Sequence, residues 1–235
     1  EITFPFTIKN QYVSGMTTVK ASVANKEKLK DYQSNFYKSA LTDSSRKKVR
    51  GYIFNQGNDK NKTKAFIDKL KIHDIKVLRD KDQFYVPTVQ KNYRLVRSFF
   101  ETHEKYRDSV FYDASAWSVS NFYNMKHKAV RSIDVNKLTK VKEVLVNNPK
   151  VSKSNYAYIL DWDDYNTPAA LNHLHKNGVI SYSAYKPFSI KVNEDDDVKS
   201  FNRGTVMVPV SKQKVDSEKL FETVKTTQEK FNLPV

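Results

Sequence analysis

The feature that most constrains the fold is a module that recurs three times along the chain. Each copy is a short apolar run, a polar turn, an amphipathic helical pattern and a second apolar run. The first copy reads GYIF (51–54), the turn NQGNDKNK, a helix marked by Phe66, Ile67 and Leu70, and IKVL (75–78). The second reads YAYIL (156–160), DWDDYN, TPAALNHLHKNG and VISYSAY (179–185). The third begins with GTVMVPV (204–210) and SKQKVD, and its helix carries Leu220, Phe221, Val224 and Phe231. The strand segments are continuous apolar runs, as expected when helices cover both faces of a sheet. Strand, helix and strand in succession then imply right-handed crossovers. The expected fold is α/β, a mostly parallel sheet with flanking helices in the Rossmann or flavodoxin manner.

Five segments lie outside the modules. Residues 2–8 alternate, with Ile2, Phe4, Phe6 and Ile8 on one face, which predicts a half-buried strand that Pro5 places at an edge. From 17 to 40 the pattern is helical, with Val19, Val23, Leu29, Tyr32, Phe36 and Ala40 on one stripe. Tyr93, Val96, Phe100 and His103 predict another helix, as do Leu138, Val141 and Leu145, with Pro149 closing the latter. FYDASAWSVSNFYN (111–124) has no clear period. Its Tyr112, Trp117, Phe122 and Tyr123 suit a packed loop or a surface that stacks sugars or peptides.

The 235 residues include 41 Lys and Arg against 26 Asp and Glu, a formal charge of +15. Such a balance fits nucleic acid, an anionic surface, or a lysine-rich solvated exterior. The lysines are spread out; the densest cluster, SRKKVR (45–50), reads as an exposed connector, which disfavours nucleic acid. With Cys 0 there is neither a disulfide framework nor a cysteine zinc site. No apolar run is long enough to span a bilayer, and no signal peptide is visible. The chain opens on EITFPF and stops at FNLPV, which leads us to expect a piece of a larger protein.

The segment YILDWDDYNTPAALNHLHKNG (158–178) concentrates the chemistry-bearing residues: Asp161, Trp162, Asp163 and Asp164, then His173 and His175. Residues two apart on a helix diverge by about 200°, so the histidines cannot share one ion; a helical zinc pair is spaced i, i+4. The stripe Ala170, Leu171, Leu174 would set His175 beside the core and His173 in solvent. Thr167 suits an N-cap, Pro168 the first helical position, and Gly178 a left-handed helix end. Asp163 and Asp164 would sit favourably before the helix N-terminus. Most of the segment is therefore capping chemistry. A binding role for Asp161, Trp162, Asp163 and Asp164 stands beside it, because α/β sheets place ligands at the carboxyl ends of strands.

Other signals are weaker. NQGNDKNK (55–62) has one glycine and lacks the spacing of a phosphate loop, so it reads as a plain loop. NEDDDV (193–198) lacks the spaced ligands and central glycine of a calcium loop and reads as a solvated tip. There is no G-x-S-x-G, no cysteine nucleophile and no carboxylate pair that stands out. No catalytic residue and no metal ligand is assigned.

Several phrases together resemble one family. ITFPFTIKNQ with its following helix, FFETHEKYRDSVFYDASAWSVSNFYN, YAYILDWDDYNTPAALNHLHKNGV and FNRGTVMVPVS look like the region downstream of the catalytic core in large bacterial secreted zinc carboxypeptidases of the carboxypeptidase A-like family. The resemblance covers nearly the whole chain. It implies that residues 1–45 are the last strand and helix of a peptidase-like domain, and that 46–235 form an accessory α/β domain. It also implies a further domain downstream, secretion or a cell-envelope location, and a zinc ion held only by the upstream peptidase domain. The family's His-x-x-Glu pair cannot be placed here, since His103 and Glu104 are adjacent, and no cofactor is expected in this chain. The resulting expectation is a non-catalytic accessory region that supports peptide or glycan binding. Its rivals are a free-standing basic module for nucleic acid or an anionic surface, and an enzyme with a strand-end carboxylate site.

Overall fold

In a computed structural model, residues 2–102, 118–132, 134–146, 150–192 and 197–235 are described. Two helices, α1 (Phe4–Ala24) and α2 (Lys26–Arg46), precede a body with two cores. The first part of the body runs β1 (Gly51–Asn55), α3 (Lys60–Ile72), β2 (Leu78–Asp80), β3 (Gln83–Pro87), α4 (Tyr93–Phe100), α5 (Val119–Phe122), β4 (His127–Val130) and β5 (Thr139–Lys140). The second runs β6 (Ala157–Leu160), α6 (Thr167–Lys176), β7 (Tyr182–Ser183), β8 (Phe188–Lys191), β9 (Val198–Phe201), β10 (Val206–Pro209) and α7 (Ser217–Phe231).

The sheets correct the expectation of a mostly parallel, Rossmann-like sheet. Among the described residues every strand pair is antiparallel, in a five-stranded sheet β4-β1-β3-β2-β5, a three-stranded sheet β6-β10-β7 and a ribbon β8-β9. The physical reason is an inserted strand. β1 and β2 point the same way across α3, as strand–helix–strand implies, but β3 lies between them and runs against both. β6 and β7 likewise share a direction across α6, with β10 wedged between them. Each half is thus strand–helix–strand, an inserted antiparallel strand, and a second helix, α4 or α7.

Two apolar cores follow. The first stacks aromatic rings, with Phe54 5.3 Å from both Phe66 and Phe84, and Phe66 5.7 Å from Phe100. The second joins Tyr158, Leu160, Ala170, Leu174, Val208, Leu220 and Val224, where the inner faces of β6, α6, β10 and α7 meet.

Residues 2–8 are not a strand. Thr3 is extended, Pro5 presets φ in the first turn, and α1 begins at Phe4. The alternation is compatible with both periods, because Phe4, Ile8, Tyr12 and Met16 are also spaced i, i+4. Val19 and Val23 continue that stripe, yet no residue of α1 is buried. The hydrogen-bond ladder runs through Asn25 into α2, with Asn25 N–H donating to Ala21 and Leu29 N–H to Asn25, each at 3.0 Å. Among the described residues, the fastening falls on the second half of α2. Arg94 of α4 donates to the Phe36 carbonyl (2.7 Å), the Ser39 hydroxyl (3.1 Å) and Asp43 (3.0 Å), and its guanidinium covers the Phe36 ring.

The helix expected around Leu138, Val141 and Leu145 is also absent. β5 pairs with β2, and Val141 N–H extends the ladder to Val77 O. β-branched Val141, Val144 and Val146 favour extended chain, and burying Val141 and Val144 leaves Leu145 outside. Pro149, His103, Tyr112, Trp117 and residues 193–196 of the acidic run lie outside the described residues.

Candidate functional site

β6 ends at Leu160, and the chain turns through Asp161, Trp162, Asp163 and Asp164 into α6. Asp161 Oδ1 accepts the Asp163 N–H at 3.1 Å, an Asx turn. The Asp161 carbonyl accepts the Thr167 hydroxyl at 2.6 Å. Asp163 Oδ2 accepts from Asn202 Nδ2 at 3.0 Å, which ties the turn to the loop before β10. Trp162 lies over Gly204, where a Cβ would stand 3.2 Å from its Cδ1. Gly204 has φ +90°, so it is required both for its backbone and for this approach.

Asp164 reaches the other half of the body. Its carboxylate accepts Asn166 N–H at 2.8 Å and the Asn61 amide at 2.9 and 3.1 Å. Asn61, in the first turn of α3, also donates to the Asn232 carbonyl at the end of α7 (2.8 Å). Asn232 is left-handed, and its Nδ2 donates to Val146 O at 2.5 Å. Asp59 completes the junction: Oδ1 caps α3 through Lys62 N–H (2.8 Å), and Oδ2 accepts Tyr165 N–H (3.0 Å). The rings of Tyr123 and Tyr165 stack at 5.9 Å beside it. The loops that follow the first strand of each half therefore face each other. Burial pushes the Asp164 carboxyl above its ordinary value, and nearby Asp59 and Asp161 add to the rise; the Asn166 N–H and Asn61 amide act the other way.

The helix start is shifted by one residue from expectation. Asn166 is the N-cap, and its amide donates to the Phe231 carbonyl at 2.7 Å. Thr167 and Pro168 occupy the first two helical positions, and Gly178 ends the helix with φ +75°. The histidines exchange their expected surroundings. His173 is half-buried, with Nδ1 3.0 Å from Thr227 Oγ1 and its ring edge-on to Phe231, because α7 covers that face. His175 is exposed, with Nε2 2.8 Å from Ser181 Oγ. Among the described residues, no group of three or more His, Asp or Glu is placed to hold a metal ion. Nor, among them, is any helix long and apolar enough to cross a membrane.

Sequence reasoning named Asp161, Trp162, Asp163 and Asp164 but not Asp59, Asn61 or Asn232, which make the junction. Asp59 was accessible as a cap, standing three residues before Lys62. Nothing local marks Asn61 or Asn232, whose partners are far along the chain.

A second feature opens beside the junction, at the carboxyl end of β1. A cleft of about 480 Å³ is lined by Ile53, Asn55, Gln56, Asp59, Lys62, Gln83, Met125, Lys126 and Lys128, among others. Compared with known proteins, the chain matches no protein-family model, no curated protein and no solved structure.

Proposed function

We propose that this chain is a non-catalytic accessory region of a secreted zinc carboxypeptidase-like protein, and that it braces the peptidase domain through α1. The observation that carries the reading is the state of that helix. Phe4, Ile8, Tyr12, Met16, Val19 and Val23 form an apolar stripe that none of the described residues buries, while the end of α2 is clamped to the body by Arg94. An apolar stripe of this length is a packing face that water leaves unsatisfied. The resemblance of ITFPFTIKNQ and the helix after it to the end of a peptidase domain names the partner. The carboxylates of the β6–α6 turn support a bracing role as well, since all three accept hydrogen bonds that shape the turn or join the two halves. Zinc belongs, in this reading, to the upstream domain.

The test substitutes Met16→Glu and Val23→Glu together. In the isolated chain the unfolding temperature should stay unchanged, because α1 buries nothing. In the longer protein that includes the upstream domain, the same pair should lower that domain's unfolding temperature and its release of C-terminal residues from peptides. An upstream domain indifferent to both changes would overturn the proposal. So would zinc-dependent peptidase activity of this chain alone.

A further inference from the structure

The cleft at the end of β1 is built from an unusual set of groups. Gln56 is only 9% exposed. Its Oε1 accepts from Arg79 Nη2 at 3.3 Å, and because a guanidinium can only donate, this fixes which way the amide points. The other end of the amide, Nε2, has no partner among the described residues, and the residue lines the cleft. Nε2 is not among the fully buried side-chain atoms left without a partner, so it is open to solvent and able to donate to a ligand. Beside it, register pairs Asn55 with Gln83 and Ile53 with Lys128, and strand alternation puts Ile53 and Asn55 on one face. Gln83 Nε2 donates to Asn55 Oδ1 at 3.3 Å, so the Asn55 amide N–H groups and the Gln83 carbonyl stay available.

The charge is one-sided. Lys62, Lys126 and Lys128 line the cleft, and among the described residues none of them forms an ion pair. The one lining acid, Asp59, has an oxygen committed to Lys62 N–H and the other to Tyr165 N–H. That commitment also occupies the α3 N-terminus, which a phosphate would otherwise use. No arginine lines the cleft, so there is no bidentate phosphate clamp; of its aromatic lining residues, Phe54 is buried in the core and His127 packs edge-on against Tyr52 and Phe100, with its ring nitrogens against the Met125 and Phe100 carbonyls. Side-chain amides donate and accept at once, as hydroxyls do, and Ile53 and Met125 supply an apolar floor. These groups fit a ligand with several hydroxyls and an anionic substituent.

We propose that this cleft binds an acidic saccharide of the uronate type. Its hydroxyls are held by Asn55, Gln56 and Gln83, and its carboxylate by Lys62, Lys126 and Lys128. The site is independent of the role assigned to α1, because its residues lie in the β1–α3 segment, at the start of β3 and around β4.

The test is calorimetric titration of the chain with a galacturonate hexamer at low salt, with a neutral maltose hexamer and dextran sulfate as further probes. Binding of the uronate but not the neutral sugar is expected. Lys126→Gln with Lys128→Gln should weaken it by about tenfold or more, and Asn55→Ala by about tenfold, with unfolding temperatures unchanged. Absence of uronate binding overturns the proposal. Binding that dextran sulfate matches and that Asn55→Ala leaves untouched also overturns it, because the cleft is then a cationic patch without saccharide recognition. Neither result bears on the α1 stripe, whose test reads the upstream domain.

Discussion

Gly51→Ala is expected to destabilise the chain by about 3 kcal/mol, at the upper end for overpacking. The cause is space, since the backbone of Gly51 is ordinary strand. A Cβ there would lie 2.1 Å from Cε2 of Tyr85 and 2.7 Å from its hydroxyl. The ring cannot yield cheaply: Tyr85 is buried, and its hydroxyl donates to Arg50 O at 2.8 Å. Gly51 cannot yield either, because it is held between Pro87 of β3 and Val130 of β4. Urea unfolding checks the size of the effect. Tyr85→Leu placed on top of Gly51→Ala should recover part of the loss, whereas a loss below about 0.5 kcal/mol for the single change would mean that no clash occurs.

Asp164→Ala should cost about 2–3 kcal/mol, because two amide donors from separate elements lose a carboxylate acceptor. Asn61→Ala removes the same link from the other side and also the hydrogen bond from Asn61 to the Asn232 carbonyl. The double variant should therefore fall short of the sum of the singles by about 1 kcal/mol, and strict additivity would show that the two residues do not communicate. The pH dependence has a definite sign. Burial raises the Asp164 pKa above its ordinary 3.8, so the folded chain holds that proton more tightly than the unfolded chain. The group's contribution to stability is full below the unfolded pKa and is lost as pH rises through the folded value. Asp164→Asn cannot titrate. The advantage of the natural chain over this variant should accordingly be larger near about pH 3 than near about pH 7, and the reverse order would refute the assignment.

The local elements were legible wherever one segment's own pattern decides them. Gly51–Asn55, the helix at Phe66 and Leu70, Ala157–Leu160 and the helix at Leu220 and Val224 all stand as expected. What was not legible is pairing. Strand–helix–strand does fix the common direction of β1 and β2, and of β6 and β7, but apolar runs do not say which third strand intervenes. β3 and β10 do, and they turn an expected parallel sheet into antiparallel ones. At residues 2–8 two periods fitted the same letters, and Pro5 beside Thr3 decided for the helix. His173 and His175 were misplaced because α7 brings Thr227 and Phe231 to a face that the helix's own stripe leaves polar. In the candidate site, the acids of the β6–α6 turn could be read off as a cluster. Their partners Asn61 and Asn202 could not, since a lone amide carries no spacing rule.

The inserted strands also set the order in which the halves can be completed. β3 follows β2 through a tight turn, so the β1-β3-β2 arrangement closes as soon as residue 87 is available. β6 has no such neighbour and waits for Val206–Pro209, with both of its edges unpaired while the β8–β9 ribbon is still to be made. Closing that long loop is slow, and open edges are sticky while it lasts. Pulsed hydrogen exchange during refolding should therefore protect the amides of Tyr52 and Phe54 before those of Tyr158 and Leu160. The vulnerable interval in the life of this chain is the one in which its first half is finished and β6 is still waiting for its partner.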